Sequence, residues 1–350
     1  MPWPVRQHPD LAEIRPAARA WAAEMGMLAF VWDGHRYDST DFGLFVALTH
    51  PDVPAPGIHL VAHWIIWGTY LDDYFVEKYK LPAKPVQARL FVERLALFLP
   101  AGEAPTPIPL NPVERGLVDL WPRTTSTMDS AARAVLARQV LGFAGGNLWE
   151  LANRVHQRAP DPVDFVEMRR QTIGRGQAAA IAGAAGGVLL PPEIRRSRPI
   201  QLLDAIAADA PALFNDIVSH RIETEYEREI SNGVVVVQAF LRCDRDRAMA
   251  VLGDLVTARL RQFEHIVATE LPVLFDDLAL DAAGQQQVVR YLDGLRAWIA
   301  GWHAWHLRTG RFDQRNLPGP RRLLRGPAGL GTAAARLRQA LPDPLIGGRS

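Results

Sequence analysis

The chain has 350 residues, 48% of them apolar, with 27 prolines, 27 glycines and a net charge of +1 from 39 basic and 38 acidic side chains, which excludes a global field that would gather nucleic acid or an anionic membrane. The single Cys243 cannot close an internal disulfide, and the opening MPWPVRQHPD lacks the apolar run of a signal peptide, so a reducing, cytoplasmic setting is expected. The longest small-residue apolar stretch, Ala178 to Leu190, is too short and glycine-rich to span a bilayer.

Helical periodicity dominates from the first segment. Leu11 to Leu28 is alanine-rich and amphipathic, and HPDVPAPG (His50 to Gly57) stops anything helical after it. Ile58 to Lys80 then predicts a helix of about six turns. A proline-rich connector, Pro100 to Pro112, precedes helical patterns at Val113–Leu120 and Ser130–Gln157. Further helices are expected at Pro162–Ala180, Ile200–Glu229, Gly233–Leu241, Arg245–Glu270 and Asp281–Thr309. No alternating run of strand length recurs with hairpin turns, so the fold class is all-α. The Pro/Gly loops are short and join helices of similar character, which makes residues 1–312 one domain. Residues 313–350 differ, with seven arginines against two acids and the phrases PGP, GPAGLG and IGG. They read as a basic, mobile tail with one short helix at Ala333–Leu341; a lid or a partner-docking arm is the alternative.

Two constellations carry chemistry. Asp72 and Asp73, with Glu77 close behind, end a strongly apolar helix (LVAHWIIWGTYL). Adjacent aspartates after such a run are costly in a packed interior unless they coordinate something, and hard oxygens beside an apolar surface suit Mg²⁺ with substrate phosphates. Taken alone, a solvated acidic helix end explains them equally well. Asn215, Ser219 and Glu223 tip the balance: at i, i+4 and i+8 they share one helical face and offer an amide oxygen, a hydroxyl and a carboxylate for a second Mg²⁺. Weak helix formers pointing at water would explain the Asn and Ser, but not their common stripe with Glu223. Asp276, Asp277 and Asp281 repeat the acid spacing after Pro272, and read as a loop and helix cap.

At these residues the chain resembles the class I terpene synthases. Asp72–Glu77 is similar to their aspartate-rich motif in its DDxxxE form, and Asn215/Ser219/Glu223 to their NDxxSxxxE motif. Arg169, 46 residues before Asn215, stands where the family has its diphosphate-sensing arginine, and Trp305 to Phe312 is similar to its closing Arg-Tyr motif. The resemblance runs from His8 to Phe312. It is nearest to the N-terminal half of bacterial germacradienol/geosmin synthases, through phrases such as EMGML, THPD, DDxFxEKYK, NPVExGLxDLW and RLxQFEH. It implies a single-domain helical bundle around a central cavity, three Mg²⁺ ions, a prenyl diphosphate substrate and a homodimer. It puts Asp72, Glu77, Asn215, Ser219 and Glu223 on the metals, with Asp73 behind them. Arg169, Arg311, Phe312 and, less directly, Arg221 would bind diphosphate, and Trp305 would line the cavity with others from a pool including Trp67, Tyr70, Phe75, Phe143 and Trp302. Asp72, Arg169 and Arg311 would be the catalytic residues. His220 and His306 receive no role.

Three departures stand out. Ile222 replaces a basic residue before Glu223, with Arg221 about 100° round the helix; Phe312 replaces a tyrosine; and Ile173 replaces a small residue, although Gly174 follows. The expected reaction is ionisation of farnesyl diphosphate and cyclisation to a germacrene-derived sesquiterpene, hydrocarbon or alcohol. A C20 or methylated prenyl diphosphate, with the same metal chemistry and a different cavity, is the alternative substrate; small residues at Gly68 and Thr69 would deepen the pocket for a C20 chain. A non-catalytic helical binding protein of the same fold is the reading from another class.

Overall fold

The computed structural model describes residues 1–313, so the expected helix at Ala333–Leu341 and the tail from residue 314 lie outside the described residues. Fourteen α-helices and no strands are found among them. The first stretch holds α1 (Leu11–Glu24), α2 (Gly34–Thr40) and α3 (Phe42–Thr49). The long helix α4 (Ala55–Phe75) continues into a π-helical turn at Val76–Lys80. Then come α5 (Pro85–Leu95), α6 (Pro112–Thr125), α7 (Ser130–His156), α8 (Pro162–Thr172), α9 (Arg175–Ala184) and α10 (Pro192–Arg195). Helix α11 (Arg198–Ile222) also runs into a π-helical turn, Glu223–Glu227, before α12 (Gly233–Leu241), α13 (Arg245–Asp277) and α14 (Ala282–His306).

Local chemistry sets many of these boundaries. Asp33, Asp41, Asn111, Asp129, Asp161, Asn232, Asp244 and Asp281 each cap a helix by accepting a backbone N–H near its start. Asp281 thus serves α14 as a cap, the role expected of it. The expected helix Leu11–Leu28 stops at Glu24, because Gly26 takes a left-handed conformation (φ 75°). The expected helix Pro162–Ala180 is likewise two helices, broken where Gly174 has φ 69°. Helices α2, α3, α5 and α10 lie outside the helices the sequence predicts. Every residue of α3 (FGLFVALT) is buried, so it shows no amphipathic period.

The interior has two apolar clusters. One gathers α1 and α3–α7 around Trp64, Trp67 and Phe75; the other gathers α11–α14 around Ile200, Phe263 and Trp298. Helix α14 packs on both α3 and α11, and Trp302 touches both clusters. The cavity is walled by α3, α4, α7, α8, α9, α11 and α14, with both π-helical turns at its polar end. Such turns cluster at functional sites because the extra residue redirects side chains.

Candidate active site

The cavity is divided by polarity. Phe45, Trp64, Phe143, Trp298, Trp302 and Trp305 supply much of its apolar wall. At the polar end, Asp72, Glu150, Glu223, Glu227 and Glu229 face Lys80, Arg169 and Arg311.

The α4 motif splits its acids. Asp72 faces the cavity, and burial raises its pKa against the pull of Lys80. Asp73 is buried and turned to α2 instead. It accepts from Trp32 Nε1 (2.6 Å), from Arg36 (3.1 Å) and from both arms of Arg311 (2.9 and 3.1 Å). Burial pushes this carboxyl up, but Arg311 and Arg36 outweigh it and hold its pKa at about 2. Asp73 is therefore a holder of Arg311 rather than a cavity-facing metal ligand. Glu77 sits half-buried in the π-helical turn and is not part of the cavity wall.

The α11 motif splits in the same way. Asn215 and Glu223 face the cavity, while Asp216 is fully buried and takes Arg169 through Nε (3.1 Å) and Nη2 (2.7 Å). Arg169 also donates to Asn215 Oδ1 (3.0 Å) and Thr172 (3.0 Å). Ser219, an expected metal ligand, is buried, is not part of the cavity wall, and donates its hydroxyl to the Asn215 carbonyl (2.7 Å). Asn232 donates to Glu223 Oε2 (2.9 Å). Arg221 is not brought to the cavity. Its side chain is 52% exposed and pairs with Glu225, as its angular offset from Glu223 dictates. The expected diphosphate contact from Arg221 is thus corrected to a surface ion pair.

The closing segment is strapped to α2. Thr309 donates to the Thr40 carbonyl (2.9 Å), Gly310 N to the Ser39 carbonyl (2.8 Å), and Trp305 Nε1 to the Thr40 carbonyl (2.9 Å). This delivers Arg311 and Phe312 to the cavity, with the Phe312 ring stacked on His306. Of the aromatic pool, Phe143, Trp302, Trp305 and Phe312 reach the wall, whereas Trp67, Tyr70 and Phe75 are packed in the core.

The sequence reading missed several groups. Lys80, buried at the end of the first π-helical turn, pairs with Glu150 and Glu229. Glu227 lies four residues beyond Glu223 on the same wall. Burial, then Glu223, Asp73 and Asp72, push its carboxyl up to about 8, while burial and Asp216 push Glu223 up to about 7. Five acids against three bases, two of which are already bound by Asp73 and Asp216, leave this wall short of positive charge. No three His, Cys, Asp or Glu side chains converge to enclose an ion among the described residues. Mg²⁺ needs no such cage, since it is held by one or two carboxylates together with waters and substrate phosphates. The oxygen-rich, cation-poor wall fits that mode.

Residues 63–262 match the family model described as terpene synthase family 2, C-terminal metal binding. The chain belongs to this family. It is a class I terpene synthase, a lyase whose family domain binds a divalent metal, typically Mg²⁺. It is 28% identical to pristinol synthase of Streptomyces pristinaespiralis over 91% of this chain and 85% of that one. It is also 28% identical to pentalenene synthase of Streptomyces avermitilis, over 89% and 91%. Among solved structures, germacradien-4-ol synthase of Streptomyces citricolor matches at a TM-score of 0.77 and 26% identity, covering 87% of this chain and 96% of that one. No helix among the described residues is long and apolar enough to cross a membrane.

Proposed function

We propose that this enzyme ionises farnesyl diphosphate and cyclises the cation to a germacrene-derived sesquiterpene in the cytoplasm. The carrying observation is one cavity that joins Asp72 of α4, Asn215 of α11 and Glu223 of the π-helical turn after it to Arg169 and Arg311, beside an aromatic wall. The substrate assignment also draws on a relative named (−)-β-caryophyllene synthase ((2E,6E)-farnesyl diphosphate cyclizing), from Saccharothrix espanaensis, 28% identical over 89% of this chain and 88% of its own length. The germacrene-type product rests on the phrases shared with germacradienol/geosmin synthases.

In this reading Asp72, Asn215 and Glu223 hold Mg²⁺, with Ser219 backing them; three ions and a homodimer complete the proposal. Bound Mg²⁺ supplies neutralising charge to the departing diphosphate. Arg169 and Arg311 turn their forked N–H groups from Asp216 and Asp73 to the phosphate oxygens, a geometry a lysine cannot supply. The apolar wall excludes water from the cation, and faces such as those of Trp302 and Trp305 stabilise it by roughly 0.5–2 kcal/mol each.

Gly68 and Thr69 both line the cavity, and a Cβ placed on Gly68 would meet Gln177 and Phe143 at an ordinary contact distance of 3.6 Å. Incubation with C10, C15 and C20 diphosphates and Mg²⁺, followed by gas chromatography–mass spectrometry, tests the assignment. Cyclic C15 products are expected. Faster turnover of geranylgeranyl diphosphate would overturn the substrate, and a product without a germacrene-derived skeleton would overturn the product class.

A further inference from the structure

His306, the last residue of α14, is buried against the second metal motif. Its Nδ1 lies 2.8 Å from the Trp302 carbonyl oxygen and its Nε2 lies 3.0 Å from Asn215 Nδ2. The ring stacks on Phe312 (5.2 Å, 6°) and on Trp302 (5.2 Å, 24°), contacts that turning it would give up.

The donors and acceptors around it admit one arrangement. A guanidinium only donates, so the Asn215 atom that meets Arg169 Nη2 at 3.0 Å is the oxygen. The atom facing His306 is then the amide nitrogen, and Nε2 must accept from it. A backbone carbonyl only accepts, so the imidazole proton sits on Nδ1, bonded to Trp302. Both ring nitrogens are thereby committed, and neither is left to take a proton from a carbocation. An amide has nearly the same shape in its two orientations, so partners alone decide which end faces the cavity. In the proposed reaction Arg169 leaves Asn215 for the diphosphate. His306 is the partner that stays.

We propose that His306 is a positioning residue, whose bare Nε2 holds the Asn215 amide in the orientation that presents Oδ1 as a metal ligand. The inference rests on the proposed metal role of Asn215. Partners behind a ligand typically change metal affinity by roughly 10- to 100-fold when removed.

The test uses the full chain and reads the Mg²⁺ concentration that half-saturates the melting-temperature shift produced by inorganic diphosphate, which requires no turnover. His306→Phe keeps the stacked ring and removes the acceptor. His306→Asn places its amide only as far as the Nδ1 position, leaves the Nε2 position without an acceptor, and is in that sense a second acceptor-free variant should the first not fold. His306→Gln restores an acceptor near Nε2. We expect half-saturation to rise roughly 10-fold or more in the two acceptor-free variants and to stay within about threefold of wild type in His306→Gln. An unchanged Mg²⁺ requirement in the folded acceptor-free variants would overturn the assignment, as would an equal loss in His306→Gln. If wild type itself shows no Mg²⁺-dependent shift with diphosphate, the metal reading falls and this inference with it.

Discussion

Replacing Lys80 by methionine removes the one lysine at the polar end of the cavity. The side chain is 4% exposed, pairs with Glu150, and lies 3.4 Å from Glu229, within the field of Asp72. Methionine fills similar volume but leaves Glu150 and Glu229, 10% and 7% exposed, facing each other with no cation between them. Removing one partner of a buried pair costs about 3–5 kcal/mol, because the remaining charge is stranded in low dielectric. At about 1.4 °C per kcal/mol for a chain of this size, melting should fall by about 4–7 °C. Thermal melts followed by circular dichroism measure this. Adding Glu150→Gln to Lys80→Met removes one stranded charge and should recover roughly half of the loss, a coupling that a double-mutant cycle isolates. A Lys80→Met protein melting within about 1 °C of wild type would refute the argument, since Lys80 would then be no counter-charge at all.

Arg169→Lys keeps the charge but loses the fork that spans Asp216 and Asn215, so kcat should drop by about 100-fold or more in a diphosphate-release assay. Arg221→Ala removes only an exposed pair with Glu225 and should leave kcat within about twofold and melting within about 1 °C. Buried His50 and His63 have pKa values lowered to about 3, by burial first and then by Arg175 and Arg123 respectively. From pH 6.5 downward the unfolded chain therefore binds protons that the folded chain refuses, and these residues destabilise the fold as pH falls toward 3. His50→Gln should narrow its stability gap to wild type by about 2 kcal/mol between pH 7 and pH 5 in urea titrations, and a constant gap would count against a neutral His50.

The sequence made the two motifs legible because each lies on one long helix, where spacing translates into a face. Asn215 and Glu223 reach the cavity wall as their periodicity requires, and Asp72 follows an apolar run that is buried along α4. What spacing does not convey is which neighbour a side chain turns to. Asp73 is claimed by Arg311, 238 positions away, and by Trp32 and Arg36 near α2, a segment with no helical signal. Both motifs also run into π-helical turns, whose extra residue breaks the 3.6 period and carries Lys80 inward. The cluster of Lys80, Glu150 and Glu229 joins three distant segments, so its only visible sign was an acid within the apolar phrase around Trp149. His306 belongs with them: nothing in the sequence ties it to Asn215, 91 positions away.

The central claim is that the two motifs act together through a divalent cation to release diphosphate from a C15 substrate. Diphosphate release from farnesyl diphosphate, measured with Mg²⁺ and again with excess EDTA for wild type and Asp72→Ala, tests it most directly. The account predicts release only by wild type with Mg²⁺, none in EDTA, and a loss of about 100-fold or more in Asp72→Ala with the helical circular dichroism unchanged. Full release in EDTA, or wild-type release by Asp72→Ala, would contradict it.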